Sequence, residues 1–376
     1  MLDYETLRLV WWALLGVLLI GFAITDGYDL GTAALLPFVA RNNVERRVAI
    51  NTVGPLWEGN QVWFVLGGGA IFAAWPPLYA AAFSGFYLAM LMVLLTLILR
   101  AAAFKFRGKI ENALWQNLWD WCLFAGGVVP ALVFGVTFGN LFKGVPFSFD
   151  PDLHFISAIP LLSLFTPFTL LAGLICVAMI VLHGAAWLNL RASGAVAQRS
   201  ARAMPYAAAA FALLFAAAGF LLINMNGLRI TSLINPAGPS NPLLKAVAVV
   251  PGLWLSNFTR HGWFWLLPIA AFVFAWAAVA TRRWPLIAMI ATSLVEACTI
   301  ATAGVALFPF LLTSSTNPDM SLTVWDASSS KLTLEIMLGS VALFLPIVLG
   351  YTIWAHHVFS GRMTAERIAG DSHNYD

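Results

Sequence analysis

Three carboxylates stand in stretches that are otherwise apolar. Asp26 and Asp29 lie in GFAITDGYDLG, and Glu58 lies in PLWEGNQVWF beside Asn60 and Gln61. Such groups are costly in an apolar surround unless they are paired or face the protein interior. On a helix, Asp26 and Asp29 at i and i+3 share one face. Two chemistries suit that pattern. Titratable carboxylates and amides bridged by water can pass protons inward, or arginine can pair with the acids and hold a bundle together. Glu58, Asp26, Asp29 and Gln61 are the candidates for a proton path, and Arg100 and Asp120 for structural ion pairing, in which one arginine bridges two acids. Glu58 has a third reading, since Pro55 can start a helix whose positive end favours an acid. Thr292, Glu296, Thr299 and Ala303 form a narrow polar stripe around another deep acid, equally consistent with interhelical hydrogen bonding.

Metal, nucleotide and thiol chemistry find little support. Cys122, Cys176 and Cys298 fall in separate apolar runs without metal-ligand spacing. His154 and His261 sit in or beside expected loops, and His356, His357 and His373 at or beyond the last apolar run. His183 is expected inside a helix near its cytoplasmic end and reads as a polar helix-end residue. A buried haem or copper centre would need several His or Met ligands at depth. No phosphate-binding glycine loop and no HExxH appears, so no metal site, nucleotide site or nucleic-acid partner is expected.

The elements that carry these residues follow from composition. Of 376 residues, 61% are hydrophobic and 10% charged, which suits a polytopic membrane protein and not a soluble domain. Apolar runs able to cross ~30 Å of hydrocarbon lie near 7–35, 78–100, 117–141, 167–190, 205–224, 262–281, 285–312 and 333–357. From Val62 to Trp75 the apolar run is only 14 residues, or ~21 Å of helix. A crossing there has to draw Glu58, Asn60 and Gln61 into a segment near 55–75. The basic residues favour that ninth crossing. With nine helices, 14 of the 20 lysines and arginines fall on one side, which the positive-inside rule makes cytoplasmic. With eight, the two most basic loops fall on opposite faces. The chain therefore reads as one all-α polytopic membrane domain, 1–376, with nine transmembrane helices, its N-terminus periplasmic and its C-terminus cytoplasmic. Asp26, Asp29, Glu58, Arg100 and Asp120 then share one cytoplasmic-facing layer. Ser328–Ser330 read as a cap for the last helix, and Lys331 with Glu335 as an i,i+4 pair. The first apolar segment lacks a convincing cleavage signal and is expected to be retained.

Several long stretches resemble subunit II of the cytochrome bd-type quinol oxidases, including the cyanide-insensitive branch. They are GFAITDGYDLG, ERR at 45–47, LWEGNQVW, FAAWPPLYAAAFSGFY, FRGKIE, WQNLWDW, FGNLFKGVPF and FPFLLTSSTNPDMSLTVWDASSSKLTL. The resemblance runs from the first helix to the last and is weakest across 190–260. It implies two four-helix bundles plus one additional helix, in the bacterial cytoplasmic (inner) membrane. It also implies a heterodimer with a haem-bearing subunit I, which carries b- and d-type haems, oxidises quinol and reduces dioxygen to water. The present chain would ligate no haem itself, stabilise subunit I and contribute to proton delivery. In some members the second subunit holds a structural quinone. A small single-helix accessory subunit, quinol and lipid are further expected partners. In well-known members the acid of the WxGNQVW motif is an aspartate assigned to a cytoplasmic proton route. Here it is Glu58, a longer carboxylate. A purely structural subunit and a secondary transporter remain as alternatives.

Overall fold

The computed structural model describes residues 2–157 and 160–370, so His373 lies outside the described residues. The chain begins with α1 (Tyr4–Val39), whose N-terminus is capped by Asp3 accepting from the Thr6 N–H at 2.7 Å. α2 (Asn43–Val53) is short and polar, with Asn42 as its cap. The expected crossing at 55–75 divides into α3 (Trp57–Asn60) and α4 (Val62–Ala74). The break sits at Gln61, where ψ of −16° tightens the turn. α5 (Pro76–Gly85) and α6 (Tyr87–Phe106) replace the single helix expected at 78–100. Trp75 precedes two prolines and is pushed to ψ 72°, separating α4 from α5, and Phe86 interrupts the run again.

α7 (Ala113–Lys143), α8 (Pro167–Arg191) and α9 (Gly194–Asn224) follow. α9 starts eleven residues before the expected 205, because Gly194–Met204 continues the same helix as a more polar first turn set. α10 (Ser256–Arg260) is a short helix, and α11 (Leu266–Ala280) and α12 (Pro285–Leu307) are long and apolar. The expected helix at 285–312 stops at Leu307. Phe308 precedes Pro309 and takes an extended ψ of 132°, and residues 310–312 form a strand instead. α13 (Lys331–Val358) is capped by Ser330 accepting from the Thr333 N–H at 3.2 Å, and α14 (Ala365–Gly370) ends the described chain.

Eight helices are long and apolar enough to cross a membrane among the described residues, and the broken 57–74 segment is not one of them. The all-α expectation also misses three two-stranded antiparallel pieces in the connections. These are β1 (Ser148–Phe149) with β2 (Phe155–Ile156), β3 (Asn226–Ile230) with β4 (Val247–Pro251), and β5 (Phe310–Leu312) with β6 (Leu322–Thr323). The 313–332 connection is an ordered cap, with Ser314, Ser321, Thr323 and Val324 buried.

α1 is the central element. It packs along α7 and α8 and also touches α4, α12 and α13. Its approach to α8 depends on Gly31 facing Gly184, since a Cβ on Gly31 would collide with the Ile180 carbonyl. That close crossing carries the polar face of α1 into the interior, where Asp26 and Asp29 are buried with Thr25 and Tyr28.

Candidate functional site

The two aspartates of α1 have different partners. Asp26 Oδ1 accepts from Arg100 Nη2 at 2.8 Å, and both side chains are closed to solvent. Room for Arg100 comes from α7, where a Cβ on Gly126 would stand 2.7 Å from Arg100 Cβ. The remaining guanidinium nitrogens Nε and Nη1 have no hydrogen-bond partner among the described residues. Asp29 Oδ2 accepts from Asn60 Nδ2 at 2.8 Å, whereas its Oδ1 is buried and has no hydrogen-bond partner among the described residues. Asn60 Nδ2 also donates to the Tyr28 hydroxyl at 2.7 Å. Tyr28 in turn reaches His356 Nε2 at 2.9 Å and stacks on Trp187 with ring centroids 3.8 Å apart. His356 Nδ1 meets the Thr352 carbonyl at 2.8 Å. A carbonyl only accepts, so the proton of the neutral ring is on Nδ1 and Nε2 accepts from Tyr28.

The other expected residues lie nearby but are joined differently. Glu58 is exposed, with Lys105 Nζ at 3.8 Å from its Oε1, and no bond links it to the aspartates. Gln61 is half-buried at the α3–α4 break. Arg100 does not bridge to Asp120. Asp120 is taken by Arg107, whose Nε donates at 2.7 Å, and by Arg46, whose Nη1 donates at 2.6 Å. Arg107 also reaches Asn43 Oδ1 at 2.9 Å, tying α2 to α6 and α7. A further pair at this end joins Glu45 to Arg199 at 2.6 Å. The Arg199 guanidinium, helped by the Arg41 backbone N–H, holds the Glu45 carboxyl below its usual range.

His183 departs from its expected place. It is not a helix-end residue but is fully buried between α1, α8 and α12. Its Nδ1 contacts Thr292 Oγ1 at 2.8 Å and its Nε2 the Ile24 carbonyl at 2.9 Å. Glu296 Oε2 is 3.6 Å away, and neither Glu296 oxygen has a hydrogen-bond partner among the described residues. Gly27 makes space for this acid, since a Cβ there would meet Oε1 at 2.9 Å. Tyr28, Asn60 and His356 also escaped the expected site. Tyr28 was legible as part of the TDGYD motif, but nothing in the local pattern of α13 marks His356 as its partner.

Two other features are separate from this chain of bonds. An apolar cavity of about 470 Å³ opens between α1, α7, α8, α9 and α12, lined among others by Phe22, Phe134, Met179, Phe215 and Ile300. On the β1–β2 hairpin, Asp150, Asp152 and His154 bring potential ligand atoms within 4.8 Å of one another. Asp150 there already accepts from the backbone N–H groups of Asp152 and His154.

Residues 7–359 match the family described as cytochrome bd terminal oxidase subunit II. The chain is 45% identical to the cytochrome bd-I ubiquinol oxidase subunit 2 of Escherichia coli (strain K12), over all of both chains. It is equally similar to a probable cytochrome oxidase subunit 2 of Haemophilus influenzae, again over the full length of both. A Bacillus subtilis cytochrome bd ubiquinol oxidase subunit 2 is 33% identical over 94% of this chain and 96% of its own. Among solved structures, a chain of the bd oxidase from Geobacillus thermodenitrificans shares the fold. It has a TM-score of 0.64 at 15% identity, covering 94% of this chain and 98% of that one. With a family match that takes in every helix from α1 to α13, this multi-pass chain belongs to the family of cytochrome bd terminal oxidase subunit II.

Proposed function

We propose that this chain is the non-haem-ligating subunit of a bd-type quinol oxidase, stabilising subunit I and carrying protons inward from the cytoplasm. The observation that carries the proposal is the buried sequence of bonds Arg100–Asp26 and Asn60–Asp29 at the arginine-rich end of the molecule. Reduction of one dioxygen to two waters takes up four protons, and energy is conserved if these come from the cytoplasm. Glu58 stands at the rim of the path, two residues from Asn60, and Gln61 lies at the break beside it. On this reading the broken α3–α4 segment is the ninth crossing, and the helices form two groups of four with α13 as the additional helix. Arg46, Arg107 and Arg199 then face the cytoplasm, as the positive-inside rule requires, in the bacterial inner membrane.

The buried histidines offer a haem no open ring nitrogen among the described residues. Both ring nitrogens of His183 and of His356 are engaged, and His154, His261 and His357 are exposed. The haems therefore belong to subunit I on this reading. The exposed apolar side chains of α4, α6 and α13, such as Val65, Leu95 and Ile347, offer surface to lipid or to subunit I. The apolar cavity has the chemistry to take the isoprenoid chain of a structural quinone.

The test uses the complex purified with its partner. Glu58→Gln and Asp29→Asn should each slow quinol-driven oxygen uptake by about a hundredfold, the low end of what a positioned proton-transfer group contributes, with haem content unchanged. Normal turnover in both would reject proton delivery and leave a structural subunit. A stoichiometric haem on the isolated chain would reject the assignment.

A further inference from the structure

The carboxylate chain does not end at Asp29. It continues through Asn60 and Tyr28 to a histidine at the last turn of α13. We propose that His356 is a proton-relay group at a second opening of this path, separate from Glu58, taking protons at Nε2 and passing them through the Tyr28 hydroxyl to Asp29. The proposal rests on the proton-delivery reading above and adds to it a residue and a direction.

Four observations carry it. First, the geometry is continuous: His356 Nε2 to Tyr28 Oη is 2.9 Å, and Tyr28 Oη and Asp29 Oδ2 both accept from the same nitrogen of Asn60. Two acceptors on one amide nitrogen lie within the reach of a single bridging water. Second, the ring is oriented for the task, because the Thr352 carbonyl holds the Nδ1 proton and leaves the Nε2 lone pair on Tyr28. Third, Tyr28 cannot swing away, since its ring is stacked on Trp187 at an interplanar angle of 11°. Fourth, His356 is half-buried while residues 357–362, directly after it, are all exposed. It is the member of the chain that meets the aqueous end.

The step balances without a change of charge on the tyrosine. The Tyr28 hydroxyl hydrogen first turns from His356 Nε2 toward the Asp29 side, which frees the Nε2 lone pair, and a proton then binds there to form the N–H bond. That proton then passes to Tyr28 Oη as the tyrosine gives its own hydroxyl proton inward, ending on the Asp29 carboxylate. His356 returns to the neutral ring. The charged and titratable groups around the ring are Tyr28 and, behind it, Asp29 and Asp26 from α1, Arg191 from α8 with Arg367 beyond it, and His357 on its own helix. Arg191 lies over the Trp187 ring, 5.2 Å from its centroid.

The experiment uses the whole complex with subunit I. His356→Gln should slow quinol-driven oxygen uptake by about a hundredfold, with a deeper loss as pH rises, because glutamine offers bulk protons no acceptor. Added imidazole should restore part of the rate in His356→Gln. Tyr28→Phe keeps the stack on Trp187 and removes only the hydroxyl; it should show the same loss without imidazole rescue, and the double variant should be no slower than either single one. If His356→Gln lowers haem content, Tyr28→Phe decides the matter alone. Wild-type rates and pH profile in both variants would overturn the relay. If Asp29→Asn is then still slow, the proton-delivery reading survives and only the second opening is lost; if Asp29→Asn is also normal, both fall.

Discussion

Two fully buried arginines, Arg8 and Arg100, stand near opposite ends of the central helix region and are treated differently by the fold. Arg8 is saturated. Its Nε donates to Ser328 Oγ at 2.7 Å, its Nη1 to the Pro236 carbonyl, and its Nη2 to the Gly238 carbonyl and Ser240 Oγ. Its guanidinium also lies over the Tyr4 ring, 3.7 Å from the centroid. Arg100 makes one bond, to Asp26, and keeps two nitrogens unpartnered among the described residues. A saturated buried cation is a clamp, here fixing the 236–240 turn and the 313–332 cap onto α1. A buried cation with donors to spare is the less common arrangement, and on the proposed reading its free N–H groups face the proton path.

That contrast can be broken at either end. The largest effect is expected at Arg100, where Arg100→Leu leaves Asp26 buried and unpaired at a cost of about 4 kcal/mol. The melting temperature of the detergent-purified complex measures it, and adding Asp26→Asn should recover part of the loss, which separates the charge from the packing. Arg8→Leu should cost about 3 kcal/mol from its charged hydrogen bonds. The loss should appear as protease sensitivity in the 225–251 connection, with the oxygen-uptake rate per intact complex unchanged. If instead Arg8→Leu slowed turnover and Arg100→Leu did not, the distinction between clamp and path would be wrong.

Smaller effects sharpen the picture. Glu296→Gln should shift stability by less than about 1 kcal/mol, because neither carboxylate oxygen has a hydrogen-bond partner among the described residues. Thermal melting checks it, and a large loss would mean that Glu296 is held as an anion by His183. Smallest is Glu45, a partly exposed pair with Arg199 worth about 0.5 kcal/mol. Its folded carboxyl lies below the unfolded value of about 4.3. Its contribution is therefore full above the unfolded value and is lost as pH falls through the folded one. Glu45→Gln should remove that part of the acid-side slope in a melting series against pH.

Features set by local spacing were legible. Asp26 and Asp29 share a buried face, Ser330 caps α13, and Lys331 reaches Glu335 at 3.8 Å as an i,i+4 pair. Proline rules were present but underused: Pro309 ended α12 early, and Pro76 with Pro77 divided α4 from α5. The pairing of Asp120 with Arg107 and Arg46 instead of Arg100 was not legible. All three arginines fall at the same end, and only the rotation of α6 and α7 about their axes selects between them.

Composition, apolar run length and the arginine distribution determined from the sequence alone that this chain crosses a membrane many times and brings Asp26, Asp29, Glu58 and Asp120 toward its basic end. Those are one-dimensional properties, because transfer free energy sums along a segment. Which acid meets which partner was decided only by the tertiary structure. Tyr28 and His356 are 328 residues apart, and they meet because Gly31 and Gly184 bring α1 onto α8 while α13 lies across α1. Hydrogen bonds act within about 3 Å, so a contact of that kind depends on how helices cross and not on the order of residues along any one of them.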